Sequence, residues 1–441
     1  MMATQKASPK QVSPAQPVAQ ETHLPFQPHT VEETGLNFLF LVELLAKILF
    51  LRGQLHLADL AEHAKLSVSV LEPLLAFMRT ERLCEVTRTG EVETATAYNL
   101  TELGRLRAQD SLQKSQYAGP APVSLQAYVE QVRKQSIIDM QVTRENLQQA
   151  FSGVVVKEHI LKQFGAAMNS GRAIFVYGPA GTGKTFLSEK LAGLLSGTVA
   201  IPHAIVVDSE VIQVFDPLIH DEVVVEGELS SLDRRCALDA RWVPCCRPVV
   251  KTGGELSLDM LDLDFDQAAK YYQAPPQVKA NNGLLLIDDL GRQLSSALDL
   301  MNRWIVPLDR HLDYLALHTG KKFMIPFDVI VVFSTNMPPK QLADEAFLRR
   351  LGYKIYIGVR EEEDYRAIFR QVCNELNITY SEKGLEYLLH EHHYKEDKPL
   401  LACIPMDILG QVRDIARYEG VQPELSEELL DWAWNNYFTH D

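Results

Sequence analysis

The chain has 441 residues, 46% of them hydrophobic and 23% charged, enough for two or three domains with full-sized cores. Its formal net charge of -15 repels polyanions, so a broad nucleic-acid-binding face is not the default reading. Six scattered cysteines, without C-x-x-C spacing or histidines at zinc-ligand offsets, read as reduced thiols of a cytoplasmic protein, not as a disulfide or zinc framework.

Residues 1–30 are polar and rich in Pro and Gln, with neither an apolar stretch nor a basic leader, and read as a disordered tail. The longest apolar run, residues 38–51, is fourteen residues long and includes Glu43 and Lys47. It is too short and too polar to cross a bilayer; a core helix and no membrane span are expected. Helical periodicity covers residues 36–52 and resumes from Leu57 and from Ser69. Alternation then runs through LCEVTRTGEVETATAYNL around Thr89 and Gly90, as in two strands joined by a turn, and Thr101 is placed to cap another helix.

Three helices, a hairpin and a closing helix, ending AYNLTELGRLRA, resemble a winged helix over residues 31–112. Winged helices often bind DNA, the third helix entering the major groove. Residues 31–110, however, hold eight Lys and Arg against twelve Asp and Glu, and the candidate recognition helix sets Glu72 and Glu81 beside Arg79 and Arg82. Neutralising phosphates needs a positive surplus, so protein contact or scaffolding is preferred to DNA binding. Residues 113–145 read as a linker followed by a helix, and no internal repeat is visible.

GPAGTGKT, residues 178–185, matches G-x-x-x-x-G-K-[ST], between an apolar run at 173–177 and an amphipathic helix. In that context successive backbone N–H groups turn toward phosphate oxygens. The expected nucleotide-binding residues are Gly178, Pro179, Ala180, Gly181, Thr182, Gly183, Lys184, Thr185 and Phe186. Lys184 is expected to reach the β and γ phosphates of ATP, and Thr185 to offer its hydroxyl to Mg2+. GLLLIDDL, residues 283–290, reads as a strand buried on both faces of a parallel sheet and ending in two acids. Asp288 is the expected second Mg2+ ligand, directly or through water, and Asp289 the group that orients and polarises the attacking water.

With these elements the chain resembles an AAA+ ATPase over roughly residues 147–438, because further segments follow in that family's order. VIVVFSTN, residues 329–336, is similar to the family's sensor 1 strand, which implies that Asn336 touches the γ-phosphate or the water. DEAFLRRLGYKIYIG, residues 344–358, resembles the segment that carries an arginine finger into the neighbouring subunit's site, with Arg350 as the finger and Arg349 as the alternate. The helical pattern from Glu361 onward resembles the family's lid. A hairpin just before residue 329 resembles that of the MoxR-type clade.

The chain departs from the family pattern in three places. Asp289 stands where many members have Glu and reaches less far by one methylene. Tyr353 stands where classic members carry another arginine, and Met406 where a lid arginine would stand, so that either Arg413 takes over or the lid senses nucleotide weakly. Residues 209–280 form a long insert in which Arg234, Arg235, Arg241, Arg247 and Trp242 cluster. An ordered surface subdomain is preferred there, with a substrate-contacting or intersubunit element as the alternative.

The expected fold is therefore α/β: an AAA+ P-loop core at 146–358, a parallel sheet flanked by helices, with a helical lid at 359–441 and an N-terminal winged-helix-like α+β domain. The expected activity is ATP hydrolysis in a homo-oligomeric ring, a hexamer being one option, that remodels a protein client. Two other readings stay open: a DNA-associated ATPase using the winged helix, and a non-hydrolysing nucleotide switch.

Overall fold

The computed structural model describes residues 24–88, 96–224, 237–342 and 345–438. Most of the N-terminal tail, the hairpin turn at Thr89 and Gly90, and Arg234, Arg235 and Asp344 lie outside the described residues. The ordered chain opens with helices Phe38–Arg52, Leu57–Ala64 and Val68–Thr80, a three-stranded sheet and the helix Glu102–Lys114. Asn37 and Thr101 cap the first and last of these, each side chain accepting backbone N–H groups of the first turn. The apolar run at residues 38–51 buries Leu41, Leu44, Leu45 and Ile48 against Leu71, Leu74 and Leu75, so it is a core helix. No helix among the described residues is long and apolar enough to cross a membrane.

A second, β-rich body follows that the sequence does not announce. Its five-stranded sheet draws Val123–Ser124 from the segment read as linker and helix, then Ala204–Val207, Glu210–Gln213, Asp264–Asp266 and Tyr271–Gln273. The ribbon of Thr198–Pro202 with Trp242–Cys246 and the hairpin of Leu312–Ala316 with Lys322–Pro326 share its core, where Val199, Ile205, Ile212, Trp242 and Ile325 meet. Of the arginines weighed as contact residues, the two that are described, Arg241 and Arg247, are committed internally. Arg241 pairs with Asp239, both buried, and its Nη1 donates to the carbonyls of Thr34 and Pro122, tying the N-terminal helices to this body. Arg247 donates to the carbonyls of Ser196, Gln135 and Asn282.

The central sheet comprises β1 (Ile174–Tyr177), β2 (Val249–Thr252), β3 (Gly283–Ile287), β4 (Val329–Thr335) and β5 (Tyr353–Tyr356), in the order β2-β3-β4-β1-β5. Every neighbouring pair is parallel. Side chains alternate between two cores. Ile174, Val176, Leu284, Leu286, Ile330 and Val332 face one layer with Phe164 and Leu187, while Phe175, Leu285, Ile287, Val331 and Phe333 face the other with Trp304 and Phe347. Burial on both faces is why these strands read as continuous apolar runs.

The range 209–280 is consequently not one excursion, because β2 lies inside it and returns to the core sheet. As an edge strand, β2 alternates exposed and buried residues and lacks the continuous apolar signature of β3 and β4. The bodies meet at Asp328 and Asn282. Asp328 accepts from Ser136 Oγ, the Ile137 N–H and Asn282 Nδ2, and Gln135 Nε2 donates to Asn282 Oδ1.

After β5 the chain is helical. Glu362–Glu375, Glu382–Tyr387, Ile404–Glu419 and Glu427–Tyr437 close around Tyr365, Phe369, Leu409 and Trp434. The α/β P-loop core with a helical C-terminal part anticipated from the sequence is thus the observed fold. Phe333, fully buried at the middle of β4, has no room to relax. Phe333→Ala is expected to destabilise the core by about 3–5 kcal/mol, read as a lowered unfolding midpoint in denaturant.

Candidate nucleotide site

The loop between β1 and helix α1 (Lys184–Lys190) is held open by backbone geometry only glycine supplies readily. At Gly178, φ is 149° and a Cβ would lie 2.0 Å from the Ile357 carbonyl oxygen at the end of β5. At Gly181, φ is 77° and a Cβ would lie 2.7 Å from Cys403 Sγ of the lid. Thr182 is buried and its hydroxyl donates to the Pro179 carbonyl (3.0 Å), closing the loop on itself. The result is a concave run of backbone N–H groups suited to an anion.

Parallel pairing sets the carboxyl ends of β1, β4 and β3 side by side, and the polar residues that follow each strand meet there. Lys184 is buried; its Nζ donates to the Pro179 carbonyl and to Asn336 Oδ1, both at 2.7 Å. Asn336 Nδ2 in turn donates to Asp289 Oδ1 at 3.3 Å. Thr185 Oγ1 donates to Asp288 Oδ1 at 3.0 Å. Asp289 has φ of 50°, the left-handed region, which Asp tolerates better than most residues. Burial lowers the Lys184 pKa, with Asp289 and then Asp288 opposing it.

Of these groups Lys184, Thr185, Asp289 and Asn336 line a cavity of about 520 Å³ that runs between the loop and the lid, with Asp288 behind Thr185 and not itself in the lining. Ala180, Gly181, Gly183, Lys184, Thr185, Phe186, Asp289 and Asn336 form one wall. Val154 and Val155 before β1, and Ile368, Val372 and Met406 from the lid, make the rest largely apolar. That size and mixture suit a nucleotide, with base on the apolar side and phosphates on the loop. Thr185 and Asp288 place hard oxygen donors within reach of each other, the donor chemistry a magnesium ion takes. The lid touches the loop directly, since the Cys403 N–H donates to the Gly181 carbonyl at 3.1 Å.

Other expected residues lie elsewhere. Arg349 and Arg350 line a separate cavity with Arg172 and Asp309, away from Lys184 and Asp289. Arg350 Nε pairs with Asp309 Oδ2 at 2.7 Å, whereas Arg349 is exposed and approaches Glu345 only at 3.9 Å. Arg413 pairs with its neighbour Asp414 and is not among the cavity-lining residues. Sequence reasoning missed Arg360, which reaches the loop from the end of β5 and donates from Nη2 to the Thr182 carbonyl at 3.1 Å. A lone arginine before three glutamates carries no motif that could have flagged it.

A family model described as a domain of unknown function (DUF8689) matches residues 361–436, the helical C-terminal part. No curated protein matches the chain. Among solved structures the chain is similar to NtrX from Brucella abortus in complex with ADP, at 12% identity and a TM-score of 0.40, covering 67% of this chain and 58% of that one. It is also similar to the RuvB Holliday junction branch migration motor of Thermotoga maritima, at 12% identity and a TM-score of 0.36, covering 68% of this chain and 71% of that one. The chain thus spans less than two thirds of the length of NtrX.

If the loop binds phosphates, Lys184→Ala removes their main side-chain cation. ATP affinity is expected to fall at least about tenfold in a fluorescence titration, while the melting temperature without nucleotide changes little. Unchanged affinity would exclude the cavity as the phosphate site.

Proposed function

We propose that the chain is a magnesium-dependent ATPase of the AAA+ type that assembles into a homo-oligomeric ring and remodels a protein client. The observation that carries this reading is the convergence of Lys184, Thr185, Asp288, Asp289 and Asn336 from three adjacent strand ends onto one glycine loop.

The loop amides of residues 180–185 hold the phosphate chain, and Lys184 neutralises its β and γ oxygens. Thr185 and Asp288 would hold a magnesium ion, which would supply further charge neutralisation when bound. Asp289 accepts a proton from the attacking water and orients it, and Asn336, bonded to both Asp289 and Lys184, keeps base and cation in register. The shorter reach of Asp relative to Glu argues for slow turnover. Asp289→Asn is expected to bind ATP about as well as wild type while phosphate release falls about a hundredfold or more, as loss of a general base commonly produces. Equal loss of binding and turnover would remove Asp289 from that role.

Assembly follows from the arginine pair. Neither Arg349 nor Arg350 lines its own chain's nucleotide cavity, and a finger acting across a subunit interface has that placement. Arg350 is engaged with Asp309, so the exposed Arg349 is the better placed of the two to reach a neighbour. Mixing decides the matter. Lys184→Ala subunits and finger-variant subunits are each expected to be inactive alone and to regain turnover together, because some mixed interfaces join an intact loop to an intact arginine. Arg349→Ala and Arg350→Ala are tested separately; absence of complementation with both would contradict a shared site.

The N-terminal helices and the sheet Leu55–His56, Ala97–Leu100, Cys84–Arg88 support a winged-helix-like domain, and its acidic balance favours a protein contact over DNA. Cys84, Cys245, Cys246, Cys373 and Cys403 are free thiols, in keeping with a reducing, cytoplasmic setting.

A further inference from the structure

Arg360 sits in the short connection between β5 and the lid, and only 7% of its surface is exposed. It lines the same cavity as Gly181, Lys184, Thr185 and Asn336. Its Nη2 donates to the Thr182 carbonyl and lies 3.7 Å from where a side chain on Gly183 would begin. Its Nε is buried and has no hydrogen-bond partner, and among the described residues no carboxylate lies within ion-pair distance of the guanidinium. Asp364 favours its charge at longer range, but burial outweighs that and lowers its pKa. A guanidinium removed from water without a counter-ion is costly to the fold, and such a group is normally completed by an anion. Arg360 borders the glycine loop at Thr182 and Gly183 and shares the cavity with Lys184, with Glu375 and Asp407 on the lid side.

We propose that Arg360 is a phosphate-binding residue of the nucleotide site, a cation acting within its own chain that couples the lid to the occupied loop. This rests on the reading of the cavity as a nucleotide site. Its backbone N–H donates to the Leu400 carbonyl at 2.8 Å, Leu401 and Cys403 pack on Gly181 and Ala402 on Gly183, so one residue touches both the loop and the lid. It provides the positive charge that Met406 does not and that Arg413, turned to Asp414, does not bring to the cavity. Arginine suits the place because its planar fork can keep the Thr182 carbonyl on one nitrogen and offer the others to phosphate oxygens.

The test compares full-length wild type, Arg360→Met and Arg360→Lys by thermal melting and by titration with Mg-ADP and Mg-pyrophosphate, the latter having no base to bind the apolar wall. Without ligand, Arg360→Met is expected to melt no lower than wild type, because an unpaired buried charge has been removed. Its ADP affinity is expected to fall at least tenfold and stabilisation by pyrophosphate to disappear, with Arg360→Lys retaining most of both. An Arg360→Met protein that melts well below wild type or fails to fold, while Arg360→Lys also melts below wild type yet binds both ligands with wild-type affinity, would make Arg360 a structural staple and overturn the proposal. Wild-type affinity for both ligands in Arg360→Met would overturn it too, leaving the nucleotide site standing. If wild type binds neither ligand, the nucleotide reading itself falls and takes this inference with it.

Discussion

The carboxamide of Asn336 is caught between an ammonium and a carboxylate, and the site depends on that arrangement. It stands at the end of β4, the strand between β1 and β3, accepting from Lys184 on one side and donating to Asp289 on the other. Those three groups meet only because the strands are parallel and level, and they are level because each is locked by alternate side chains into two cores. A slip of one residue in β4 would exchange Ile330 and Val332 with Val331 and Phe333 and move Asn336 out of line. Packing far from the cavity therefore sets its chemistry.

What could be read from the sequence follows from how much of each signal is local. The glycine loop, β3 and β4 stand out because a strand buried on both faces is an uninterrupted apolar run, and the acids and Asn336 fall at the ends of those runs. By contrast, β2 is an edge strand with Lys251 in its middle, and it was hidden inside what reads as an insert. The β-rich body was hidden for another reason. Its strands are two to five residues long, and beside local hairpins such as Leu312–Ala316 with Lys322–Pro326 the sheet is joined by pairings far apart in sequence, Val123 with Ile205 and Tyr272 with Ile212. No window along the chain contains that information.

Side-chain roles divide in the same way. Lys184 and Thr185 are placed by a loop of eight residues and could be named at once. Arg360 becomes part of the site only when residues 400–403 fold back onto Gly181, a contact made across more than two hundred residues of chain. Arg349 and Arg350 are adjacent and chemically identical, and the ion pair of Arg350 with Asp309, on the helix Ala297–Arg310, tells them apart. Arg241 likewise looks like a surface cation until Asp239 and the Thr34 and Pro122 carbonyls enclose it.

The lid, the loop and the strand ends form one mechanical unit. Loop and lid share the Cys403–Gly181 hydrogen bond and the Arg360 bridge, and the Lys157–Glu361 pair fastens the segment before β1 to the lid's first turn. A ligand that strengthens or displaces those contacts shifts the lid relative to the sheet, and such a shift is the means by which hydrolysis could do work on another molecule. The most direct test of the central claim is steady-state phosphate release from ATP by the wild-type chain over a range of protein concentrations, with assembly mass measured on the same samples. The account predicts turnover whose specific rate rises as subunits assemble. Stoichiometric nucleotide binding with no phosphate release at any concentration would contradict it.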